Sequence, residues 1–171
     1  MILAVDVHYT EGKAVVAGVL FDLWDSEESD NIFISNVAPV KEYIPGEFYR
    51  RELPCILQLL KEHDIKVHTI IIDGYVYLDG DCKPGLGKYL YEALNKKPES
   101  RKVNVVGVAK NAFQGIDEKC KVFRGESRKP LYITSEGVEI SEAKKYISEM
   151  HGNFRIPTLL KLADRLCRDN S

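Results

Sequence analysis

Two long runs of apolar, largely β-branched residues at the start of the chain constrain its fold more than any other feature. They span residues 1–9 and 13–22, and only Thr10-Glu11-Gly12 separates them. Runs of this kind around a short glycine-containing turn are typical of a β-hairpin, in which Gly12 can supply a positive φ. A third run, Asn31 to Val37, follows. The N-terminal region is therefore predicted to form three consecutive antiparallel strands.

After Gly46 the hydrophobic pattern changes from the period of a strand to that of a helix. The spacing predicts a helix to about His63, which Pro54 should kink or restart. Beyond it, buried strands are predicted at Val67–Asp73 and Val103–Val108, and two strand-like pieces are predicted between Lys121 and Ile140, around Gly125 and Gly137. Helices are predicted at Lys88–Leu94, Ser141–Met150 and Ile156–Arg168. We expect a single α/β domain over residues 1–171, with a mixed sheet of antiparallel strands 1–3 plus parallel strands, flanked by helices.

Composition narrows the class of protein. With 44% hydrophobic and 29% charged residues, the chain does not resemble disordered, collagenous or disulfide-scaffold proteins. The four cysteines, Cys55, Cys82, Cys120 and Cys167, are widely spaced, which favours free thiols in a reducing compartment over a zinc site. The first apolar run ends at Asp6 with no basic residues before it, unlike a signal peptide or a membrane span. We therefore expect a cytoplasmic protein that does not engage a membrane.

The formal net charge of −2 argues against a polyanionic partner only when it is averaged over the whole chain. Residues 1–81 hold 6 basic and 15 acidic side chains, residues 82–130 hold 12 and 5, and residues 131–171 hold 6 and 6. The middle segment includes Lys110, Arg124, Arg128 and Lys129. This division predicts an acidic half that could hold a metal ion and a basic half that could receive phosphates, although scattered solvated lysines would give similar counts.

Two aspartates stand at the ends of predicted buried strands. Asp6 follows four apolar residues and Asp73 follows three isoleucines. Either one alone could be a turn or capping aspartate, or could pair with a core arginine. Because strand ends at one edge of an α/β sheet converge on one crevice, the two could approach each other, with Glu52 as a third ligand. Such hard oxygen ligands select Mg²⁺ or Mn²⁺, and sets of this kind typically hold metal against a phosphodiester.

Five short segments, spaced over nearly the whole chain, carry a resemblance to a known family. They are Ala4-Val5-Asp6-Val7-His8-Tyr9, Tyr43-Ile44-Pro45-Gly46 with Arg51-Glu52-Leu53-Pro54, Ile72-Asp73-Gly74, Val106-Gly107-Val108-Ala109-Lys110, and Arg155-Ile156-Pro157 with Leu162-Ala163-Asp164. In this order they resemble the endonuclease V family, metal-dependent nucleases that nick strands near deaminated adenine (inosine). The resemblance implies a ribonuclease H-like fold, in a short form without the family's N-terminal extension.

The resemblance also implies roles for individual residues. Asp6, Glu52 and Asp73 would be catalytic, metal-binding carboxylates, with Mg²⁺ as cofactor and Mn²⁺ able to substitute. Lys110 would lie near the scissile phosphate, which suits a point charge, although a solvated strand-end lysine is the alternative. The residues that contact nucleic acid would be Tyr43, Pro45, Gly46, Arg51, Gly74, Gly85, Gly87 and Lys110.

Three of these binding roles have a physical basis of their own. Tyr43, held stiffly by Pro45, could stack in the gap that a flipped base leaves, although a half-buried aromatic at a helix entrance is the alternative. Arg51 either contacts phosphate or orients the carboxylates. The loop from Gly74 to Gly87 matches the lesion-recognition region by position, with Gly85 and Gly87 letting the backbone approach a flipped base.

The chain departs from the family pattern in three places. Leu78-Asp79-Gly80-Asp81 replaces a His-Pro context, Ser135-Glu136-Gly137-Val138 replaces a second histidine, and Pro157-Thr158-Leu159-Leu160-Lys161 replaces Pro-Glu-Pro-Thr-Arg. Losing the histidines removes groups that could position water or a second metal, so activity or inosine selectivity would change. Asp79 or Asp81 could substitute as an outer metal ligand. His8 shares a strand face with Asp6 and could reach the site or be an ordinary strand histidine.

The expected function is that of a Mg²⁺-dependent endonuclease of nucleic-acid repair, a monomer that hydrolyses phosphodiester bonds near deaminated purines in DNA or RNA. The alternatives are a structure-specific nuclease of the same fold, a nucleic-acid-binding module whose catalysis has decayed, and a structural α/β domain without a site. The choice between DNA and RNA depends on contacts to the 2′-hydroxyl.

Overall fold

A computed structural model describes residues 1–98 and 100–171 of the chain. Its strands are β1 (Ile2–Thr10), β2 (Lys13–Phe21), β3 (Asn31–Val37), β4 (Thr69–Asp73), β5 (Asn104–Ala109), β6 (Lys121–Val122) and β7 (Leu131–Glu136). Its α-helices are α1 (Tyr49–Glu62), α2 (Leu86–Leu94), α3 (Ile140–Glu149) and α4 (Thr158–Asp169). The strands form one sheet in the order β3-β2-β1-β4-β5-β7-β6.

The first three strands form the predicted antiparallel unit. Strands β1 and β2 pair from Ile2–Phe21 to Thr10–Lys13, and the turn between them contains Glu11 and Gly12 with φ of 39° and 80°. Positive φ at both central residues suits a two-residue turn whose twist matches that of the flanking strands. Strand β3 then pairs with β2 in antiparallel fashion.

The centre of the sheet is parallel, as predicted, and its far edge is not. Strand β4 lies between β1 and β5 and is parallel to both, with three consecutive isoleucines each about 1% exposed. Strands β7 and β6 add to β5 in antiparallel fashion. The strand-like pieces predicted around Gly125 and Gly137 are displaced from those residues, since β6 ends at Val122 and β7 ends at Glu136.

Helices cover both faces of the sheet. Leu3, Val5 and Ile72 pack with α1 and α2, whereas Ile2, Ala4 and Ile71 pack with α3 and α4. This alternation follows from the period-2 geometry of strands. The two faces therefore place α1 and α4 on opposite sides of the same strand ends.

Helix α1 runs unbroken from Tyr49 to Glu62 with Pro54 inside it, so the predicted restart at that proline does not occur. Pro54 lies in the second turn, where it removes a single intrahelical hydrogen bond. Among the described residues, no helix is long and apolar enough to cross a membrane.

Candidate active site

The parallel pairing of β1 and β4 brings two carboxylates together at one edge of the sheet. Val5 is in register with Ile72, so the next residues along each strand, Asp6 and Asp73, are neighbours. In-register residues of parallel strands point to the same face, here the face that α4 covers. The convergence predicted from the strand ends is therefore present in the fold.

Helix α1 supplies the third predicted carboxylate. Glu52 lies in the first turn of the helix and is only 4% exposed. A carboxylate near a helix N-terminus gains some stabilisation from the exposed backbone N–H groups there. Asp6 is also buried, at 9% exposure, and its Oδ1 accepts a hydrogen bond from the Val7 amide at 2.8 Å.

These carboxylates are held in an environment that opposes their charge. Burial, followed by the charge of Asp73, raises the pKa of Asp6 to about 7. Burial, followed by the charges of Asp6 and Asp73, also raises the pKa of Glu52 well above its ordinary value. Like charges gathered in a desolvated site are costly unless a cation lies among them. The site is therefore electrostatically suited to a cation.

Lys110 supplies a positive charge at this edge. Its Nζ lies 2.6 Å from Asp73 Oδ2, just beyond the end of β5. Burial alone would lower the pKa of Lys110, but the hydrogen bond and the charge of Asp73 outweigh it and raise the pKa. The Arg155 guanidinium donates hydrogen bonds to the main-chain oxygens of Lys110 and Pro130, which fixes the strand end that carries the lysine.

Asp164 is a fourth carboxylate that reading the sequence did not assign to the site. It lies on α4, and its charge contributes to raising the pKa of both Asp6 and Lys110. The available signal was a carboxylate next to Ala163 on the apolar side of the terminal helix. Asp164 also accepts a hydrogen bond from Arg168 Nε at 2.9 Å.

A small cavity lies between the strand ends and α4. It has a volume of about 30 Å³ and is lined by Asp6, Asp73, Lys110, Ile156, Leu160 and Ala163, among others. A volume of this size can hold a water molecule or an ion but not a nucleotide. A ligand larger than this would therefore meet the carboxylates from outside the cavity.

The donor chemistry fits a hard divalent cation, although the side chains are not arranged as a completed site. Within residues 1–98 and 100–171, no three His, Cys, Asp or Glu side chains form a group with metal-binding geometry. Lys110 already holds one oxygen of Asp73 in an ion pair. Oxygen donors from buried, mutually repelling carboxylates are nonetheless the ligands that Mg²⁺ and Mn²⁺ prefer.

Tyr43 is exposed and stands at a defined turn. The Glu47 amide donates to the Ile44 carbonyl oxygen at 3.0 Å, with Pro45 and Gly46 (φ 80°) between them. This is the geometry of a type II turn, which favours proline and then glycine. At 56% exposure the Tyr43 side chain is not the half-buried aromatic of the alternative interpretation.

Arg51 is held beside Glu52 by an aromatic ring. Its Cζ lies 3.9 Å from the centroid of the Tyr9 ring and 6.0 Å from that of Tyr43. Its Nε is buried and has no hydrogen-bond partner among the described residues. From there the charge of Arg51 opposes the rise in the pKa of Glu52.

The glycines of the predicted lesion loop face the chain itself. Gly85 and Gly87 are buried, and a Cβ added to them would lie 2.7 Å from Tyr75 O and 2.6 Å from Val76 Cγ2. Tyr75 and Val76 occupy that space, so both glycines are required by the packing of the chain itself, and their contact with a flipped base stays a prediction. Gly74, with φ of 144°, has open space around its Cα.

Asp79 and Asp81 do not replace the family histidines as outer ligands. Asp79 Oδ1 accepts hydrogen bonds from the amides of Asp81, Cys82 and Lys83 at 2.8–3.1 Å. Asp81 pairs with Lys119 at 2.6 Å in a cleft that His68 and Asn104 also line, at the opposite end of β4 and β5. Their oxygens stabilise the loop instead of reaching the carboxylates.

The basic segment is less available to phosphates than its composition suggested. Arg124 is only 5% exposed and donates to four main-chain oxygens, so it is a structural residue. Lys88, Lys119 and Lys121 form ion pairs with acidic side chains. Arg128 and Lys129 are exposed.

Comparisons with known proteins point to one group of enzymes, although no family model matches the chain. Endonuclease V of Streptomyces avermitilis is 27% identical over 194 aligned positions, covering 98% of this chain and 79% of that protein. Endonuclease V of Trichormus variabilis is 26% identical over 147 residues, covering 72% of this chain. The match to the Trichormus protein spans 62% of that protein's length.

Solved structures share the fold. The catalytic domain of human endonuclease V has a TM-score of 0.75 at 22% identity, covering 99% of this chain and 81% of that one. Endonuclease V of Ciona intestinalis, in complex with a 24mer DNA containing an inosine followed by a ribo-adenosine, has a TM-score of 0.75 at 17% identity, covering 99% of this chain and 84% of that one. In sequence and in the fold of its mixed, ribonuclease H-like sheet, the chain is therefore similar to endonuclease V proteins.

Proposed function

We propose that this protein is a metal-dependent endonuclease that hydrolyses phosphodiester bonds near deaminated purines, inosine above all, in DNA or RNA. The observation that carries the proposal is the meeting of Asp6, Glu52 and Asp73 with Lys110 at one edge of the sheet. The Ciona relative crystallised with inosine-containing DNA supports the choice of substrate.

Asp6, Glu52 and Asp73 would hold Mg²⁺ or Mn²⁺. A bound ion of this kind polarises a phosphoryl oxygen and makes water a stronger nucleophile near neutral pH. Asp6 and Glu52 have the strongest electrostatic reason to bind it, because burial and mutual repulsion raise the pKa of both. Asp73 would exchange its ion pair with Lys110 for the metal.

Lys110, freed from Asp73, would place its ammonium group against the scissile phosphate. An ammonium is a compact, strongly hydrated charge that suits a phosphate oxygen and stabilises the charge that develops there. Arg155 contributes by holding the Lys110 main-chain oxygen, so that the strand end does not move with its side chain.

Tyr43 would act on the base rather than on the phosphate. Its exposed ring stands just before the turn at Pro45 and Gly46. The ring can therefore enter the base stack when a base leaves it. A damaged or mispaired base leaves the stack at lower cost than a normal one, which gives inosine an advantage.

Cleavage assays with matched oligonucleotides test the proposal. Single-stranded DNA and RNA containing one inosine, and the same strands containing adenine, are incubated with Mg²⁺, Mn²⁺ or EDTA. We expect cleavage of the inosine strands that EDTA abolishes and that Asp73→Asn slows by at least about 100-fold. Asp25→Asn, an exposed aspartate in the turn after β2, is the matched control and should cleave normally.

Two outcomes would contradict the proposal. Absence of cleavage under every condition, with binding retained, would favour a module whose catalysis has decayed. Equal cleavage of inosine and adenine strands would favour a structure-specific nuclease, an alternative supported by the engagement of Asp79 with its own loop and of Asp81 with Lys119.

A further inference from the structure

A second, larger groove adjoins the small cavity beside Asp6 and shares Lys110 and Ile156 with it. We call it the aromatic groove; its walls are residues 123–127 and 152–156, together with Lys110, Lys161 and Asp164. Its volume is about 1090 Å³, far more than the small cavity beside Asp6. Lys110 lines both spaces, so a strand lying in the groove would lead straight to the candidate scissile position.

Two phenylalanine rings project into solvent along this groove. Phe154 is 74% exposed and Phe123 is 60% exposed. Single exposed apolar residues are common, but two rings on the walls of one groove beside a candidate active site form a patch of the kind that marks a binding surface.

The loops that carry the two rings are fastened to each other. The buried Arg124, next to Phe123, donates hydrogen bonds to the main-chain oxygens of Met150, Gly152, Phe154 and Arg155, with 2.8 Å to Phe154 O and 3.1 Å to Gly152 O. The loops also touch at Gly125, where an added Cβ would lie 2.1 Å from Asn153 O. The rings are therefore held on a rigid base, which reduces the entropy lost when a ligand binds.

The charges along the groove select the kind of ligand. Lys161 Nζ lies 5.9 Å from the centroid of the Phe154 ring. Arg128 and Lys129 follow Ser127 at the rim, and all three basic side chains are exposed and form no ion pair within the described part of the chain. Of the two acidic side chains on the walls, Asp164 pairs with Arg168, and the exposed Glu126 forms no ion pair within the described part of the chain. Aromatic faces interleaved with free basic groups are typical of surfaces that bind single-stranded nucleic acid.

We propose that the aromatic groove binds the single-stranded stretch flanking the cleavage point, with bases stacked on Phe154 and Phe123 and phosphates near Lys161. The placement of that strand relative to the cut rests on the proposed function. The stacking itself does not depend on sequence or damage, because every base has a π-face.

Binding measurements on strands of two lengths test the proposal. Dissociation constants are measured by fluorescence anisotropy in EDTA, for a short inosine oligonucleotide and for the same strand extended by about six nucleotides on the 5′ or the 3′ side. The proteins are the wild type, Phe154→Ala, Phe154→Leu, Phe154→Trp and the control Leu23→Ala, whose side chain is 63% exposed and lies outside the groove.

We expect Phe154→Ala and Phe154→Leu to weaken binding of one extended strand by at least about fivefold, and Phe154→Trp to retain it. Binding of the short strand, and all binding by Leu23→Ala, should be unchanged. Unchanged binding by Phe154→Ala, or full retention by Phe154→Leu, would overturn the proposal; the second result would indicate an apolar surface for a protein partner.

The result of this binding test can be distinguished from the result of the cleavage test of the proposed function. Inosine-dependent cleavage with no effect of Phe154 on binding would leave the nuclease and remove the aromatic groove from it. Phe154-dependent binding of extended strands without any cleavage would support the groove and contradict the proposed nuclease.

Discussion

At the scale of single residues, Asp6 illustrates a conflict between stability and function. It is a buried carboxylate whose pKa is raised to about 7 by burial and by Asp73. Its ionised form is therefore unfavourable in the folded protein when no cation is present. A residue that destabilises the fold in this way is expected where a ligand later compensates for it.

Asp6→Asn should therefore stabilise the metal-free protein while abolishing cleavage. The isosteric amide can still accept the hydrogen bond from the Val7 amide. We expect the free energy of unfolding at pH 8 to rise by about 1 to 3 kcal/mol, measured by urea denaturation in EDTA. Asp25→Asn, at an exposed position outside the site, should leave the free energy of unfolding unchanged. A loss of stability in Asp6→Asn would contradict this account of the site.

Asp79 is the opposite case, a carboxylate whose ionised form is favoured by its surroundings. Hydrogen bonds from the amides of Cys82, Lys83 and Asp81 lower its pKa from 3.8 to about 2. Since the unfolded chain then binds the proton more tightly than the folded one, this contribution is full above the unfolded pKa and is lost as pH falls through the folded pKa.

The free energy of unfolding should therefore decline more steeply between about pH 5 and pH 2 in the wild type than in Asp79→Asn. Denaturant unfolding at a series of pH values measures this difference. If the free energies of unfolding of the two proteins changed in parallel with pH, the three amides would not favour the ionised form of Asp79.

At the scale of elements, the turn at Pro45 and Gly46 presents Tyr43, and its conformation can be tested by a single substitution. Gly46 has φ of 80° with open space around its Cα, so an added side chain would meet strain in the backbone and no clash. That strain amounts to about 1 to 2 kcal/mol for a residue with a Cβ.

Gly46→Ala should raise KM for inosine strands by roughly five- to 30-fold, because the turn that presents Tyr43 is disfavoured by that amount. Gly12→Ala is a matched control, with the same φ of 80° and open space but a place in the hairpin turn between β1 and β2, outside the turn at Pro45 and Gly46. It should lower thermal stability and leave KM unchanged. Equal KM values for the two variants would argue against a role for this turn in binding.

At the scale of the whole molecule, nucleic-acid binding should depend more on where each basic residue lies than on the number of basic residues. Lys119 is neutralised by Asp81 at the opposite end of the sheet, whereas Lys161 stands in the aromatic groove. A protein that neutralises fewer phosphates releases fewer counterions, and the salt dependence of its binding is correspondingly weaker.

For single-stranded oligonucleotides, Lys161→Gln should reduce the slope of log Kobs against log[salt] by about 0.7. Lys119→Gln should leave that slope unchanged. Titrations at a series of KCl concentrations measure both slopes, and equal effects of the two variants would show that binding follows net charge alone.

Local patterns in the sequence predicted the strands and helices and the strand ends that carry the candidate site. Strand and helix periods, the glycine turn at residue 12 and the aspartates after apolar runs are local patterns, so they predicted the hairpin, the buried β4 and the edge that carries Asp6 and Asp73. Resemblance of short motifs pointed to endonuclease V proteins in advance of the fold.

The roles of the polar residues between those elements became evident only from the folded structure. Arg124 turns inward to four carbonyl oxygens, Asp79 holds its own loop, and Gly85 and Gly87 accommodate Tyr75 and Val76. Asp164, from the last helix, joins carboxylates far from it in sequence. Such partners lie many residues apart, and the free energy of desolvating a charge depends on everything packed around it, which no local pattern records.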